Sequence, residues 1–268
     1  MSFSIAGKTA IVTGAANGCG LAIGRHFLRE GANVVFADMD EAALEREMGE
    51  RAAEEEAARI FAGDLRERLT IANLLSLTVD AFERVDILVN ASRQMIPGDP
   101  LDPENDQVET LLQQNLLTSL RLSQATAKRM IKQADDDGDH SIGSIINLSS
   151  IAARRTHPEL LAYSVSSAAL DQMTRSLAVA LAPRRIRVNA VAFGSVMSAS
   201  LKGALKDNSD YRSEILDNTP LNRIAAPSEV SDAVQYLASD SSSFVTGQII
   251  TVDGGRTLID PVTAAPAH

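Results

Sequence analysis

Short runs rich in Val and Ile alternate with longer helical stretches from one end of the chain to the other. Seven runs have strand length and are apolar on both faces: 9–13, 33–37, 59–62, 86–90, 144–148, 187–191 and 248–252. Strands of that kind belong in a parallel sheet covered by helices on both sides. Strands alternating with helices predict a doubly wound α/β fold with a seven-stranded parallel sheet. No Pro/Gly/Ser-rich linker divides the chain and no fixed-period repeat is visible. A single domain over 1–268 is therefore expected.

The helical stretches differ in pattern. The segment 41–59 is highly charged and reads as a solvent-facing helix. The helix over 159–182 carries Leu160, Leu161, Tyr163, Val165, Leu170, Met173, Leu177, Val179 and Leu181, which cover nearly every face. A helix apolar all round is buried on several sides. The sheet covers only one of them, so a second subunit is the expected other cover. The segment 106–132 is similarly Leu-rich. A homotetramer or homodimer built on these two helices is expected. The run Ala134-Asp-Asp-Asp-Gly-Asp-His140 lacks the spacing of a calcium loop and reads as a solvated turn. The tail 261–268 is expected to fray.

Composition narrows the function. Lys plus Arg is 25 and Asp plus Glu is 35, a net charge of −10. Such a surface repels phosphate backbones and anionic lipid, so neither nucleic acid nor membrane is an expected partner. No apolar run reaches membrane-spanning length, and the first residues lack the basic and apolar regions of a signal peptide. The single cysteine, Cys19, has no disulfide partner, and a reducing, cytoplasmic setting is expected. The four histidines show no metal-ligand spacing, so no metal site is expected.

The first candidate site follows the first strand. Thr13-Gly14-Ala15-Ala16-Asn17-Gly18-Cys19-Gly20 links a strand to a helix. Glycines there allow a tight turn and close backbone approach to a pyrophosphate, and the helix N-terminus offers N–H donors. An ordinary tight turn is the bland alternative. The second strand leads into Asp38, 24 residues after Gly14. A carboxylate there accepts from both ribose hydroxyls and repels a 2′-phosphate. With no Arg or Lys in the loop, NAD is expected over NADP. A helix N-cap is the other role open to Asp38.

With these motifs in place, the sequence resembles the classical short-chain dehydrogenase/reductase family over almost its whole length. The matching segments come in order: TGAANGCG at 13–20, Asp64, DILVNAS at 86–92, Asn115, INLSS at 146–150, Tyr163, RVNAVAFG at 187–194 and TGQIITVDGG at 246–255. The resemblance implies a Rossmann-type fold, a nicotinamide cofactor and hydride transfer between an alcohol and a ketone. It implies that Gly14, Asn17, Gly18, Cys19 and Gly20 lie against the pyrophosphate and adenosine. Asp38 would hold the ribose, and Asp64 and Leu65 would flank the adenine. Asn90, Ala91 and Ser92 would lie under the cofactor. Gly194, Val196 and Ser198 would line its nicotinamide end. By the same resemblance, Ser150 would bind the substrate oxygen and Tyr163 would exchange a proton with it. Asn115 would hold a water in the relay.

The pattern breaks in three places. The family has Tyr-x-x-x-Lys, and this chain has Ser167 four residues after Tyr163. Positions i and i+4 share a helix face, so Ser167 lies beside the tyrosine. An ammonium about 4 Å from a phenolate stabilises it by roughly 4 kcal/mol at an effective dielectric of about 20. Serine cannot supply this. Alcohol oxidation, which needs the phenolate as base, is expected to suffer more than ketone reduction. Arg154 and Arg155, or Lys128 and Lys132, are the candidate replacement cations. Arg93 stands where the family has glycine after Asn-Asn-Ala, and Phe193 precedes Gly194 where the family has Pro-Gly.

Three activities compete. Ser150, Tyr163 and Asn115 favour an oxidoreductase acting on a small-molecule alcohol or ketone. Ser167 favours a cofactor-binding pseudoenzyme that serves as a sensor or partner subunit. A lyase on the same fold has no positive feature. The segment 195–219 is expected to form a substrate lid, with Met197, Leu201, Leu205, Tyr211, Ile215 and Leu216 as a mainly apolar wall.

Overall fold

The computed structural model describes residues 3–104, 106–134, 138, 140–207 and 209–260. Seven strands form one parallel sheet: β1 Thr9–Thr13, β2 Asn33–Asp38, β3 Ala58–Ala62, β4 Ile87–Asn90, β5 Gly143–Ser150, β6 Ile186–Phe193 and β7 Ile249–Val252. Their order is β3-β2-β1-β4-β5-β6-β7. The expected strands are all present, and β5 and β6 run longer, to Ser150 and Phe193. The chain winds outward from β1 to β3, then returns to place β4 on the other side of β1. The carboxyl ends of β1 and β4 thus flank a crevice at the point where strand order reverses, where ligands of open α/β sheets bind.

Strict alternation explains why both faces of the central strands are buried, while the edge strands β3 and β7 are half-buried. Ala10, Val12, Val34, Phe36, Ile87 and Val89 point into one core, and Ile11, Val35, Ala37 and Leu88 into the other. Successive side chains of a strand face opposite ways, so a continuous apolar run serves two helical layers at once. Helix α1, Gly18–Arg29, packs on the first core through Leu21, Ile23 and Phe27. The second core takes Ile71 and Leu74 from helix α3, Arg68–Phe82, with Leu122, Ala127 and Met130 from the following helix.

The charged helix α2 covers 41–54, with a π-wound turn at Glu45–Gly49. It stops five residues short of the expected end, because Ala58 and Arg59 pair with β2 and are drawn into the sheet. Helix α4 over 108–133 contains a π-wound segment, Leu112–Leu117, centred on Asn115. Helix α5, Leu161–Leu181, leaves Leu161, Val165 and Val179 exposed while Tyr163, Leu170 and Met173 are buried. Two further helices, α6 (Ala199–Asp207) and α7 (Ser209–Asp217), occupy the expected lid segment, and α8 is Pro227–Ala238. Among the described residues, no helix is long and apolar enough to cross a membrane. The aspartates of 135–137 and 139, and the tail 261–268, lie outside the described residues.

Candidate active site

The glycine loop closes tightly over the end of β1. A Cβ on Gly20 would lie 2.1 Å from the Gly14 carbonyl oxygen, and one on Gly14 would lie 2.8 Å from Ala91 O and Ser92 N. Gly14 and Gly18 both have positive φ, at 62° and 54°, which glycine adopts without strain. No Cβ obstacle stands within 4 Å of Gly18, so the loop is open on its outer side. Asn17 makes no side-chain capping bond to α1. The free N–H groups and dipole of this helix end suit a pyrophosphate.

Asp38, at the end of β2, ties this loop to the next one. Its Oδ2 accepts from Ala16 N at 3.0 Å and its Oδ1 from Asp40 N at 3.2 Å. The N-cap of α2 is Asp40, which accepts from Ala43 N at 3.0 Å. Asp38 is therefore not the helix cap. A carboxylate has about four acceptor positions, which leaves room for two ribose hydroxyls. Asp64 forms a paired ion contact with Arg66, at 2.9 Å to Nε and 2.6 Å to Nη2. That hydrogen bond holds its carboxyl below the usual range. Leu65 is buried beside it.

Thr13 ties the two sides of the crevice together, a role the sequence did not disclose. Its hydroxyl oxygen accepts from both Ala91 N and Ser92 N at 3.0 Å. The segment after β4 is thereby held against Gly14. Asn90 faces inward, donating to Ser123 Oγ at 3.0 Å and to Asn147 Oδ1 at 2.8 Å. Its side chain fastens β4 to β5. Ser92 Oγ accepts from Gln114 at 3.4 Å.

Asn115 clamps the same segment from the helical side. Its amide donates to Gln94 O at 2.9 Å and to Ser166 Oγ at 3.2 Å, while its Oδ1 accepts from Gln94 N at 2.8 Å. Ser150, ending β5, accepts from Ala152 N at 3.1 Å, which leaves its hydroxyl hydrogen to donate elsewhere. Tyr163 and Ser167 are both buried on one face of α5. They line a cavity of about 10 Å³ together with Asn90, Ser92, Arg93 and Asn115, near the size that holds one water. Val196 is buried and bridged to Ala225, and Ser198 Oγ accepts from Leu201 N at 3.3 Å. Gly194 N donates to Val252 O at 3.2 Å, keeping the end of β6 against β7.

The expected replacement cations go elsewhere. Arg154 donates to Thr251 Oγ1 at 3.0 Å, and Arg155 to the Thr257 carbonyl. Lys128 and Lys132 are exposed on α4. Arg93 takes their place: its Nη1 donates to the Tyr163 hydroxyl oxygen at 2.5 Å and to Ser149 O at 3.4 Å. Its guanidinium carbon lies 4.1 Å from the centre of the Phe193 ring. Sequence reasoning noticed Arg93 only as a bulky residue at a glycine position. Asp171 also escaped it. This acid is buried two turns beyond Tyr163, where burial pushes its carboxyl up, opposed by the Ser149 hydroxyl and the charges of Arg154 and Arg175. Among the described residues, no three His, Cys, Asp or Glu side chains gather to hold a metal ion.

A family model described as enoyl-(acyl carrier protein) reductase matches residues 14–257, from the glycine loop past the last strand. The chain is a classical short-chain dehydrogenase/reductase. It is 32% identical to the 3-oxoacyl-[acyl-carrier-protein] reductase FabG of Thermotoga maritima, over 94% of this chain and 98% of that protein. Two solved structures share the fold closely. One is a gluconate 5-dehydrogenase from Burkholderia cenocepacia J2315 in complex with NADP and tartrate, at 28% identity and a TM-score of 0.86, covering 96% of this chain and 98% of that one. The other is a 7α-hydroxysteroid dehydrogenase complexed with NADH and 7-oxo glycochenodeoxycholic acid, at 29% identity and a TM-score of 0.85, covering 94% and 95%. The first of these structures holds NADP and the second NADH.

Proposed function

We propose that this dehydrogenase interconverts a hydroxyl and a ketone on a small molecule by hydride transfer, with NAD(H) as its cofactor. The observation that carries the cofactor choice is Asp38, whose carboxylate is fastened to the glycine loop through Ala16 N. A fixed negative charge beside the adenosine ribose accepts hydroxyl protons and disfavours a 2′-phosphate. The open outer side of Gly18 and the uncapped start of α1 support the pyrophosphate site. When bound, the dinucleotide supplies or accepts the hydride. The chain's part is to hold the substrate oxygen and move its proton. Ser150, with a free hydroxyl hydrogen, orients that oxygen, and Tyr163 donates a proton to it in reduction or takes one in oxidation. Asn115 acts by fixing the Gln94 backbone beside the crevice.

Titration with NADH and NADPH tests this reading. NADH binds more tightly to the native chain. Asp38→Ala combined with Met39→Arg moves the preference toward NADPH, since Met39 is exposed next to the carboxylate. An unchanged preference in that variant removes Asp38 from the ribose site. The exposed Leu161, Val165 and Val179 on α5 support a second subunit on that face. The segment 195–219 carries half-buried Met197 ahead of α6 and half-buried Leu201 and Leu205 on it, which supports a partly apolar substrate wall.

A further inference from the structure

The three departures from the family's sequence pattern, Arg93, Ser167 and Phe193, are linked through Arg93, which touches the Tyr163 hydroxyl, lies over Phe193 and shares a cavity with Ser167. Ser167 lies one turn beyond Tyr163 and borders a small cavity, and Arg93 borders the same cavity. A serine cannot reach the tyrosine oxygen with positive charge. Arg93 does so directly, with Nη1 at 2.5 Å from it. Two anchors hold the arginine there. Its guanidinium stacks on the buried Phe193 ring at 4.1 Å, within the range of a cation–π contact. The same Nη1 also reaches the Ser149 carbonyl at 3.4 Å. Among the described residues, Arg93 forms no ion pair that would neutralise it.

Resting on the oxidoreductase reading, we propose that Arg93 is a catalytic residue that supplies to the Tyr163 hydroxyl the positive charge that Ser167 cannot. The donor direction suits the reaction. A guanidinium has only N–H donors, so the tyrosine oxygen accepts from Arg93 and its own hydrogen turns toward the substrate. In ketone reduction the carbonyl carbon gains the hydride and the carbonyl oxygen takes the Tyr163 proton. The carbonyl is reduced and the dinucleotide oxidised. As the O–H bond breaks, negative charge grows on an oxygen that already faces a guanidinium. That interaction is stronger in the transition state than in the ground state, which is the condition for it to accelerate the step. Arginine stays charged at every accessible pH, so the contact persists through both directions of the reaction.

The test measures turnover at 340 nm with saturating NADH and three probe ketones: ethyl acetoacetate, cyclohexanone and diacetyl. The binding of NADH is titrated separately by fluorescence. Arg93→Gln keeps the length and some donors but loses the charge, and it lowers kcat by roughly 10- to 100-fold, the range of a charge-assisted hydrogen bond. Arg93→Lys retains more turnover than Arg93→Gln. Adding Ser167→Lys to Arg93→Gln brings a cation to the same cavity from position 167 and recovers turnover at least about tenfold. A residue that merely shaped the loop would not be rescued from position 167. Turnover in Arg93→Gln that equals or exceeds that of the native chain overturns the proposal, as does failure of the Ser167→Lys rescue. A native chain silent on all three ketones also overturns it. Turnover by Arg93→Gly with Ser167→Lys then shows that Arg93 blocks a competent oxidoreductase site. Silence of that variant despite normal NADH binding counts against the oxidoreductase reading itself.

Discussion

Replacing Thr13 with valine removes the oxygen that joins β1 to the segment after β4, at almost constant shape. In the native chain this buried oxygen accepts from Ala91 N and Ser92 N, both at 3.0 Å. A buried N–H left without an acceptor costs about 1–3 kcal/mol. Ala91 is buried and bears that cost in full, whereas Ser92 is half-buried and its N–H recovers part of the loss from water. The sum is about 2–4 kcal/mol of folding stability. Thr13→Ser keeps the oxygen and loses one methyl group, about 1 kcal/mol. Urea unfolding at one fixed protein concentration reads both changes, because assembly contributes to apparent stability. Thr13→Val should lower the midpoint well below that of Thr13→Ser, with an unchanged slope. NADH affinity should fall too, since Gly14 packs directly on this segment. Equal midpoints for the two variants refute the reasoning and make the pair of hydrogen bonds energetically idle.

Gly20→Ala sets a Cβ against the Gly14 carbonyl, where backbone and not a flexible side chain must move; NADH binding weakens at least about tenfold, and calorimetric titration checks it. Acid unfolding reports on Glu229, whose carboxyl is held at about 2, against an ordinary 4.5, by the Arg223 guanidinium and the Ala226 N–H. A depressed carboxyl stabilises the fold fully above about 4.5, and this contribution is lost as pH falls toward about 2; Glu229→Gln flattens stability across that window, measured by thermal melts from pH 2 to 5. Light scattering gives a mass of two or four chains, and a single-chain mass would leave Leu161, Val165 and Val179 of α5 uncovered and reject the interface.

Much of the fold was legible because its signals are local. Short runs apolar on both faces that alternate with longer helical stretches read as strands of a helix-covered parallel sheet, so the seven strands and their parallel sense follow from pattern and spacing. The glycine loop is legible for the same reason: a strand, a tight turn and a helix start are consecutive in the chain. Asp38 was left open between ribose and helix cap, and the structure gives the cap to Asp40. Where local pattern and pairing competed, pairing won: the charged helix α2 ends at Glu54 because Ala58 joins the sheet beside β2.

The sequence by itself determined the strands, the glycine loop, the acid after β2 and the serine at 167 beside Tyr163. Helical neighbours at i and i+4 are fixed by backbone geometry, so the loss of the lysine could be read without coordinates. Only the tertiary structure decided which cation answers that loss. The sequence offered Arg154 and Arg155, on the loop between Ser150 and Tyr163, and the fold turned them toward Thr251 and Thr257. Arg93 lies 70 residues before Tyr163. It arrives because β4 and β5 pair side by side, so the segments leaving their carboxyl ends share one rim of the sheet. That adjacency follows from strand order, and no periodicity along the chain encodes it.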